Sequence, residues 1–269
     1  GFMKVEEIQI GVAEGLTLKG WAYWPGPGEN QAEWKETPLL ILCHGVPRSK
    51  LVPAGERKKD NDGGYAALAE RCLAEGFPCF HFNFRGTGES EGNFDVLGWT
   101  RDLAAVLDYW EERDRYNKGF YLWGFSVGGA VSCCVAANDP RVKGLAMAAS
   151  LAEFKTIITP WDLERRIDNF RKIGIIRDPS FPPDPGRWLK ETFSVNPLEC
   201  VNKIAPRPLL IVHGTEDEVI PVMHAEALYE QAGDSAELML LDGAKHQLRL
   251  EPEAITKCLT WFKEVSKKD

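Results

Sequence analysis

The sequence predicts an α/β domain, a mostly parallel sheet with helices on both faces and a small helical cap, on three observations. Strand-sized apolar runs such as Leu39 to Cys43 and Phe120 to Trp123 lack polar alternation, the mark of strands covered on both faces. Helix-length periodic segments fall between such runs, from Gly64 to Glu75, about Val96 to Arg113 and Val127 to Asn138. Strand and helix exchanging in this way is what a parallel sheet with crossover helices requires. The rhythm breaks once, between Ser150 and Ala205.

In chain order, Ile8 to Ile10 and Leu16 to Trp21 flank Glu14-Gly15 and read as an antiparallel hairpin. A polar loop, Pro25 to Pro38, precedes the Leu39 to Cys43 strand, and a charged loop, Arg48 to Asp62, follows it. Further strands are expected at Pro78 to Phe84 and Val142 to Ala148, and a last helix at about Glu253 to Val265. A structureless stretch as long as 151–205 is improbable in a compact domain, so short helices lying over the site are expected there. The division is therefore a core of residues 1–150 and 206–269 with a cap at 151–205.

At 269 residues the chain is long enough for one large core. A formal charge of -8 argues against nucleic acid or an anionic membrane as partner. No apolar run approaches a membrane span, and the first residues lack the charged-then-apolar pattern of a secretory leader. The seven cysteines are scattered through apolar segments with no C-x₂-C pair, which reads as free thiols in a reducing cytoplasm and not as a metal site. The oligomeric state is left open.

The chemistry is concentrated at Gly124-Phe125-Ser126-Val127-Gly128, a G-x-S-x-G run between the Phe120 to Trp123 strand and the Val127 helix. A strand-to-helix reversal this tight brings backbone too close for a Cβ and pushes one hydroxyl outward, that of Ser126. A serine nucleophile needs a base, an acid to orient the base, and N–H donors for the oxyanion. Asp217 and His246 each follow the carboxyl end of an apolar strand, the edge where open parallel sheets bind ligands. Asp217 competes there with Glu216 and Glu218.

These motifs resemble the α/β-hydrolase superfamily, in the branch of cinnamoyl and other carboxylesterases, serine aminopeptidases and acylaminoacyl peptidases. The order Ser126, Asp217, His246 is that family's triad order. His44-Gly45-Val46-Pro47 resembles its oxyanion loop, and Asn83-Phe84-Arg85-Gly86-Thr87-Gly88-Glu89-Ser90 its D-x-R-G-x-G-x-S turn, with Asn83 in place of the usual Asp. Pro47 has no N–H, which leaves the Val46 and Val127 amides as oxyanion donors. The resemblance implies an α/β-hydrolase fold and a cofactor-free serine hydrolase acting on a small-molecule ester.

Each feature also has a plainer reading. Ser126 could simply cap a helix, and His246 could be a solvated loop histidine. Gly86-Thr87-Gly88 could be taken for a phosphate loop, but the third glycine is missing and Glu89 would repel phosphate, so a structural turn is expected. Trp161, Phe170, Trp188 and Phe193 are candidates to line an acyl pocket from the cap, with Trp161 and Trp188 expected to bind substrate and core packing an equal alternative. Glu153, Asp162 and Glu164 could hold the free amine of a peptide, the rival peptidase reading. A non-catalytic ligand-binding or scaffold protein on the same fold is the alternative from another class.

Overall fold

The computed structural model describes residues 3–26, 36–48, 63–113 and 118–267. Most of the loops expected at Pro25 to Pro38 and Arg48 to Asp62 therefore lies outside the described residues. The eight strands are β1 (Met3–Gly11), β2 (Thr17–Pro25), β3 (Leu39–Cys43), β4 (Cys79–Phe82), β5 (Phe120–Phe125), β6 (Val142–Ala148), β7 (Leu209–Gly214) and β8 (Ala236–Leu241). They form one sheet in the order β1-β2-β4-β3-β5-β6-β7-β8. β1 pairs antiparallel with β2 and β2 with β4; every other pairing is parallel.

Helices α1 (Tyr65–Ala74), α2 (Val96–Glu112) and α3 (Val127–Ala137) fill the early crossovers, α7 (Met223–Ala232) the crossover from β7 to β8, and α8 (Pro252–Ser266) follows the last strand. Because alternate side chains of a strand face opposite ways, β3 sends Leu39, Ile41 and Cys43 to one face and Leu40 and Leu42 to the other. The first set packs with Leu103, Val106 and Leu107 of α2 and Val131 of α3. The second meets Leu68 and Cys72 of α1 and Leu259 and Phe262 of α8. Two cores on one sheet explain why these strands read as continuous apolar runs.

From β3 the chain moves through β4 toward one edge of the sheet and from β5 toward the other, so the strand order reverses between β3 and β5. Loops leaving the carboxyl ends of such a pair diverge to opposite faces and open a crevice. Residues 151–205 carry no strand. They hold a short turn at Pro160–Asp162, helices α4 (Leu163–Lys172), α5 (Pro185–Ser194) and α6 (Pro197–Cys200), and another turn at Val201–Lys203. Asp184 and Asn196 cap α5 and α6 by accepting from the Arg187 and Leu198 amides, and a proline opens each helix.

The turn after β4 ties this segment to the sheet. Arg177 donates to the Ser90 and Gly88 carbonyls at 2.5 and 2.8 Å, and the Phe94 amide donates to the Ile175 carbonyl at 2.7 Å. Within the turn, Asn83 accepts from the Glu89 amide at 3.2 Å, so the amide oxygen does here what a carboxylate oxygen could. Arg85 places its Nε and Nη2 3.0 and 2.9 Å from Asp102 Oδ1, and its own amide donates to Oδ2 at 2.9 Å. Gly98 leaves room for that guanidinium, since a Cβ there would lie 2.7 Å from it. The Gly86 to Gly88 stretch is thus a structural turn held by side chains.

Asp102 is fully buried against Arg85. Asp102→Ala would leave the guanidinium and the Arg85 amide without that acceptor, and should cost about 3–5 kcal/mol in urea unfolding. A loss under about 1 kcal/mol, the range of a surface pair, would show that the turn does not depend on it.

Candidate active site

The end of β5 and the start of α3 place Ser126 at φ 54 and ψ -121, outside the ordinary regions for a non-glycine residue. Its amide donates to the Ala148 carbonyl at 2.9 Å, and its carbonyl accepts from the Gly129 amide and the Ser150 hydroxyl, both at 3.0 Å. Backbone is therefore what fixes the strained residue. Its hydroxyl makes no capping bond to α3, although Ser126 occupies the N-cap position, which weighs against the plain capping reading.

Glycines let the neighbouring chains close in. A Cβ on Gly128 would overlap the Cys43 and His44 carbonyls, and one on Gly45 would lie 3.0 Å from both the Phe125 carbonyl and the Ser126 Cβ. The loop after β3 is thereby pressed against the elbow. His44 fixes that loop from within. Its Nδ1 donates to the Gly45 carbonyl at 2.6 Å, while Nε2 accepts from the Phe84 amide at 3.0 Å and lies 3.1 Å from the Thr87 hydroxyl. Burial pulls the His44 imidazole down to about 4, with the hydrogen bond to Gly45 acting the other way, so it is neutral as this pattern demands.

Val127 is the first residue of α3, where an amide has no acceptor within the helix. Val46 lies in the loop that His44 braces, and both valines line a cavity of about 610 Å³ together with Ser126 and His246. Asp217 is buried while Glu216 and Glu218 are exposed. Its Oδ1 accepts from the Val219 and Ile220 amides, both at 2.9 Å, and its Oδ2 lies 2.8 Å from His246 Nδ1. One oxygen thus shapes the Asp217 loop and the other holds the imidazole. The loops that carry Asp217 and His246 are joined through their backbones: the Glu216 amide donates to the Ala244 carbonyl at 3.0 Å, and a Cβ on Gly214 would overlap that same carbonyl.

A second histidine also meets Asp217. His213 is buried, donates from Nε2 to the Ile220 carbonyl at 2.7 Å, and lies 3.3 Å from Asp217 Oδ2. Burial by itself would raise the Asp217 carboxyl, but hydrogen bonds from His213, His246 and the Ile220 amide outweigh it and hold the carboxyl far below its usual range. The i,i+4 spacing of His213 and Asp217 was visible, though nothing local says that a turn brings them together.

Neither of the two tryptophans expected to bind substrate is part of the cavity wall. Trp161 is 87% exposed and is not part of the cavity wall. Trp188 is 3% exposed, donates from Nε1 to the Phe94 carbonyl at 3.1 Å and packs edge-on to Phe94. It fastens α5 to the turn after β4. The residues of 151–205 that do line the cavity include Leu151, Phe154, Ile158 and Phe170. Glu153, Asp162 and Glu164 are absent from the wall, and Asp162 is engaged with Arg165 and Arg166 at 2.7 and 3.1 Å.

A match to the alpha/beta hydrolase fold family spans residues 38–172, just over half of the chain. The chain belongs to that family. The uncharacterized protein YfhR of Escherichia coli O157:H7 is 24% identical over 247 residues, which is 90% of this chain and 73% of YfhR. Among solved structures, Est1E from Butyrivibrio proteoclasticus with ferulic acid bound superposes with a TM-score of 0.69 at 21% identity, over 97% of this chain and 100% of that one. The Pyrococcus furiosus esterase Pf2001 gives a TM-score of 0.68 at 17% identity, over 98% and 93%. At these identities the two structures share the fold of this α/β hydrolase. Among the described residues there is no helix long and apolar enough to cross a membrane, and no group of three or more His, Cys, Asp or Glu side chains that could hold a metal ion.

Two outcomes follow for stability. Trp188→Ala should cost about 3–5 kcal/mol in denaturant unfolding and Trp161→Ala less than about 0.5 kcal/mol; equal losses would mean that the two burials are misplaced. For His44, the unfolded chain takes up a proton near 6.5 and the native protein only near 4, so its contribution is complete above 6.5 and is lost as pH falls through about 4. The same direction holds for Asp217 at lower pH, below the ordinary carboxylate value of 3.8. Unfolding free energy should therefore fall by about 3 kcal/mol between pH 6.5 and 4 on account of His44, and His44→Gln should flatten that slope. An unchanged slope in the variant would rule out His44 as its source.

Proposed function

We propose that this α/β hydrolase is a serine carboxylesterase working through an acyl-enzyme, with Ser126 as nucleophile, His246 as base and Asp217 as acid. The observation that carries the reading is the 2.8 Å contact of His246 Nδ1 with buried Asp217, on a cavity that Ser126 and His246 both line. A proton held on Nδ1 by the carboxylate leaves Nε2 as a lone pair able to take the serine proton. Ser126 then attacks the ester carbonyl. Asp217 stabilises the imidazolium, and the Val46 and Val127 amides receive the oxyanion, a contribution of about 3 kcal/mol for each donor in comparable sites. His246 returns the proton to the departing alcohol, and a water molecule repeats the sequence to release the acid.

None of these steps calls for a cofactor. The apolar wall of Leu151, Phe154, Ile158 and Phe170 suits a hydrocarbon or aryl part of the substrate. The peptidase reading loses its main support, because the carboxylates that would hold a free amine are not on the cavity wall. The seven cysteines are all free, five of them buried, which suits a reducing cytoplasm as the place of action.

Ser126→Ala and His246→Ala should each lower kcat/KM on a short-acyl aryl ester by several orders of magnitude in folded protein, and Asp217→Asn by less than either. A fluorophosphonate probe should label the wild type and not Ser126→Ala. Retained turnover or labelling in that variant would overturn the nucleophile assignment.

A further inference from the structure

The charge of the cavity wall runs opposite to that of the chain. Over the whole sequence 40 Asp and Glu outnumber 32 Lys and Arg. Yet among the described residues none that lines the cavity is an aspartate or glutamate, and Arg48, Arg166 and Arg249 all are part of the wall. A neutral ester in an apolar pocket does not need that arrangement. A half-buried cation facing a cleft without a counter-ion is instead what recognition of an anion requires, and among the described residues Arg249 is the one that meets this description.

The two best-described arginines differ in how far their charge is already used. Arg166, on α4, gives Nε to Asp162 at 3.1 Å and Nη2 to the Ile157 carbonyl at 2.7 Å. Arg249 is half-buried in the short turn Leu248–Leu250, three residues after His246. Its Nε donates to the Gly63 carbonyl at 2.5 Å, and its guanidinium lies 5.7 Å from the Tyr65 ring. Those contacts hold the plane of the guanidinium but do not neutralise it: among the described residues Arg249 has no carboxylate partner, and its Nη1 and Nη2 make no hydrogen bond. The two terminal NH2 groups of a fixed fork remain, the geometry that suits a carboxylate or phosphate.

We infer that the cavity is built for an ester carrying an anionic oxygen group, a carboxylate or a phosphate, on its alcohol side, with Arg249 as the counter-ion. This rests on the esterase reading, because the alcohol side is defined by the group that His246 must protonate as it leaves. Arg249 follows His246 by three residues and meets Gly63 and Tyr65, and all four line a cavity whose wall also holds the apolar side chains of 151–205. The aromatic rings of Trp21, His81 and Tyr65, with the first two stacked at 5.1 Å between centroids, extend the Arg249 side into a wall that a planar alcohol could lie along. The acyl group then occupies the apolar portion and the anion the cationic one, so the two ends of the substrate are told apart by chemistry.

The test uses acetate esters of three phenols: para-cresol, para-hydroxybenzoate and para-hydroxyphenyl phosphate. Their leaving groups differ in intrinsic reactivity, so the readout is how the anionic-to-neutral ratio of kcat/KM changes between wild type and Arg249→Gln, in which those differences cancel. The expected result is a loss of about tenfold or more in that ratio for one or both anionic esters, partly recovered in Arg249→Lys. Which anionic ester responds more tells a carboxylate from a phosphate ligand. In the wild type the anionic preference should also weaken as salt is raised, a measurement that stands even if the variants fail to fold. A second arm needs no turnover: the dissociation constants of the three phenols on Ser126→Ala protein should be about tenfold tighter for an anionic phenol. If no ester is hydrolysed but the anionic phenols bind tightly through Arg249, the esterase reading fails and the anion site stands. If esters are hydrolysed by way of Ser126 while the ratio is unmoved by Arg249→Gln, or the wild-type preference is indifferent to salt, or all three phenols bind alike, the anion site is overturned.

Discussion

The close approach of the first turn of α3 to the end of β3 is the constraint on which the rest of the site depends. Gly128 can lie against the Cys43 and His44 carbonyls only because it lacks a Cβ, and Gly45 can lie against Phe125 and Ser126 for the same reason. This contact brings together two segments that diverge to opposite faces of the sheet. It puts the Val127 amide, free by virtue of its place in the helix, into one cavity with the Val46 amide. The strained backbone of Ser126 is the local cost, offset by hydrogen bonds from Gly129, Ser150 and to Ala148.

A chain of supports runs outward from that contact. His44 braces the β3 loop and ties it to Phe84. Phe84 stacks on Trp99 at 4.4 Å between centroids, and the Trp99 indole donates to the Arg85 carbonyl. Arg85 is in turn fixed by Asp102, and the same turn carries the bonds to Arg177 and Trp188 that tie it to residues 151–205, some of which line the cavity. The loop bearing the proposed oxyanion donor, the turn after β4 and residues 151–205 are thus one connected packing unit. A buried, neutral histidine at its centre gives that unit a built-in sensitivity to acid.

The loops that carry Asp217 and His246 form a second unit. Asp217 divides its oxygens between its own loop and His246, with His213 adding a second imidazole behind it. Gly214 allows this loop to touch Ala244 directly. The same stretch continues to Arg249, so the residue proposed to choose the substrate is carried on the segment that carries the proposed base. Positioning of the proton acceptor and selection by charge are mechanically linked there.

The sequence alone determined the elements and their order, because burial on both faces leaves continuous apolar runs and amphipathic helices leave a period; β3, β5 and α2 fall within a residue or two of where those patterns put them. It also singled out Ser126, Asp217 and His246, since each follows a strand end and the elbow needs its glycines in fixed local spacing. It did not determine what the cavity wall is made of. Trp161 and Trp188 sit in similar polar, aromatic-bearing stretches, and only the docking of α5 on Phe94 buries one while the other stays in solvent. His213 and Arg249 likewise have ordinary local sequences. Their roles arise when loops from separate strands are brought to one sheet edge. Local pattern encodes which face of an element is covered; what covers it, and which charges are left facing the cleft, is decided by contacts between residues far apart in the chain.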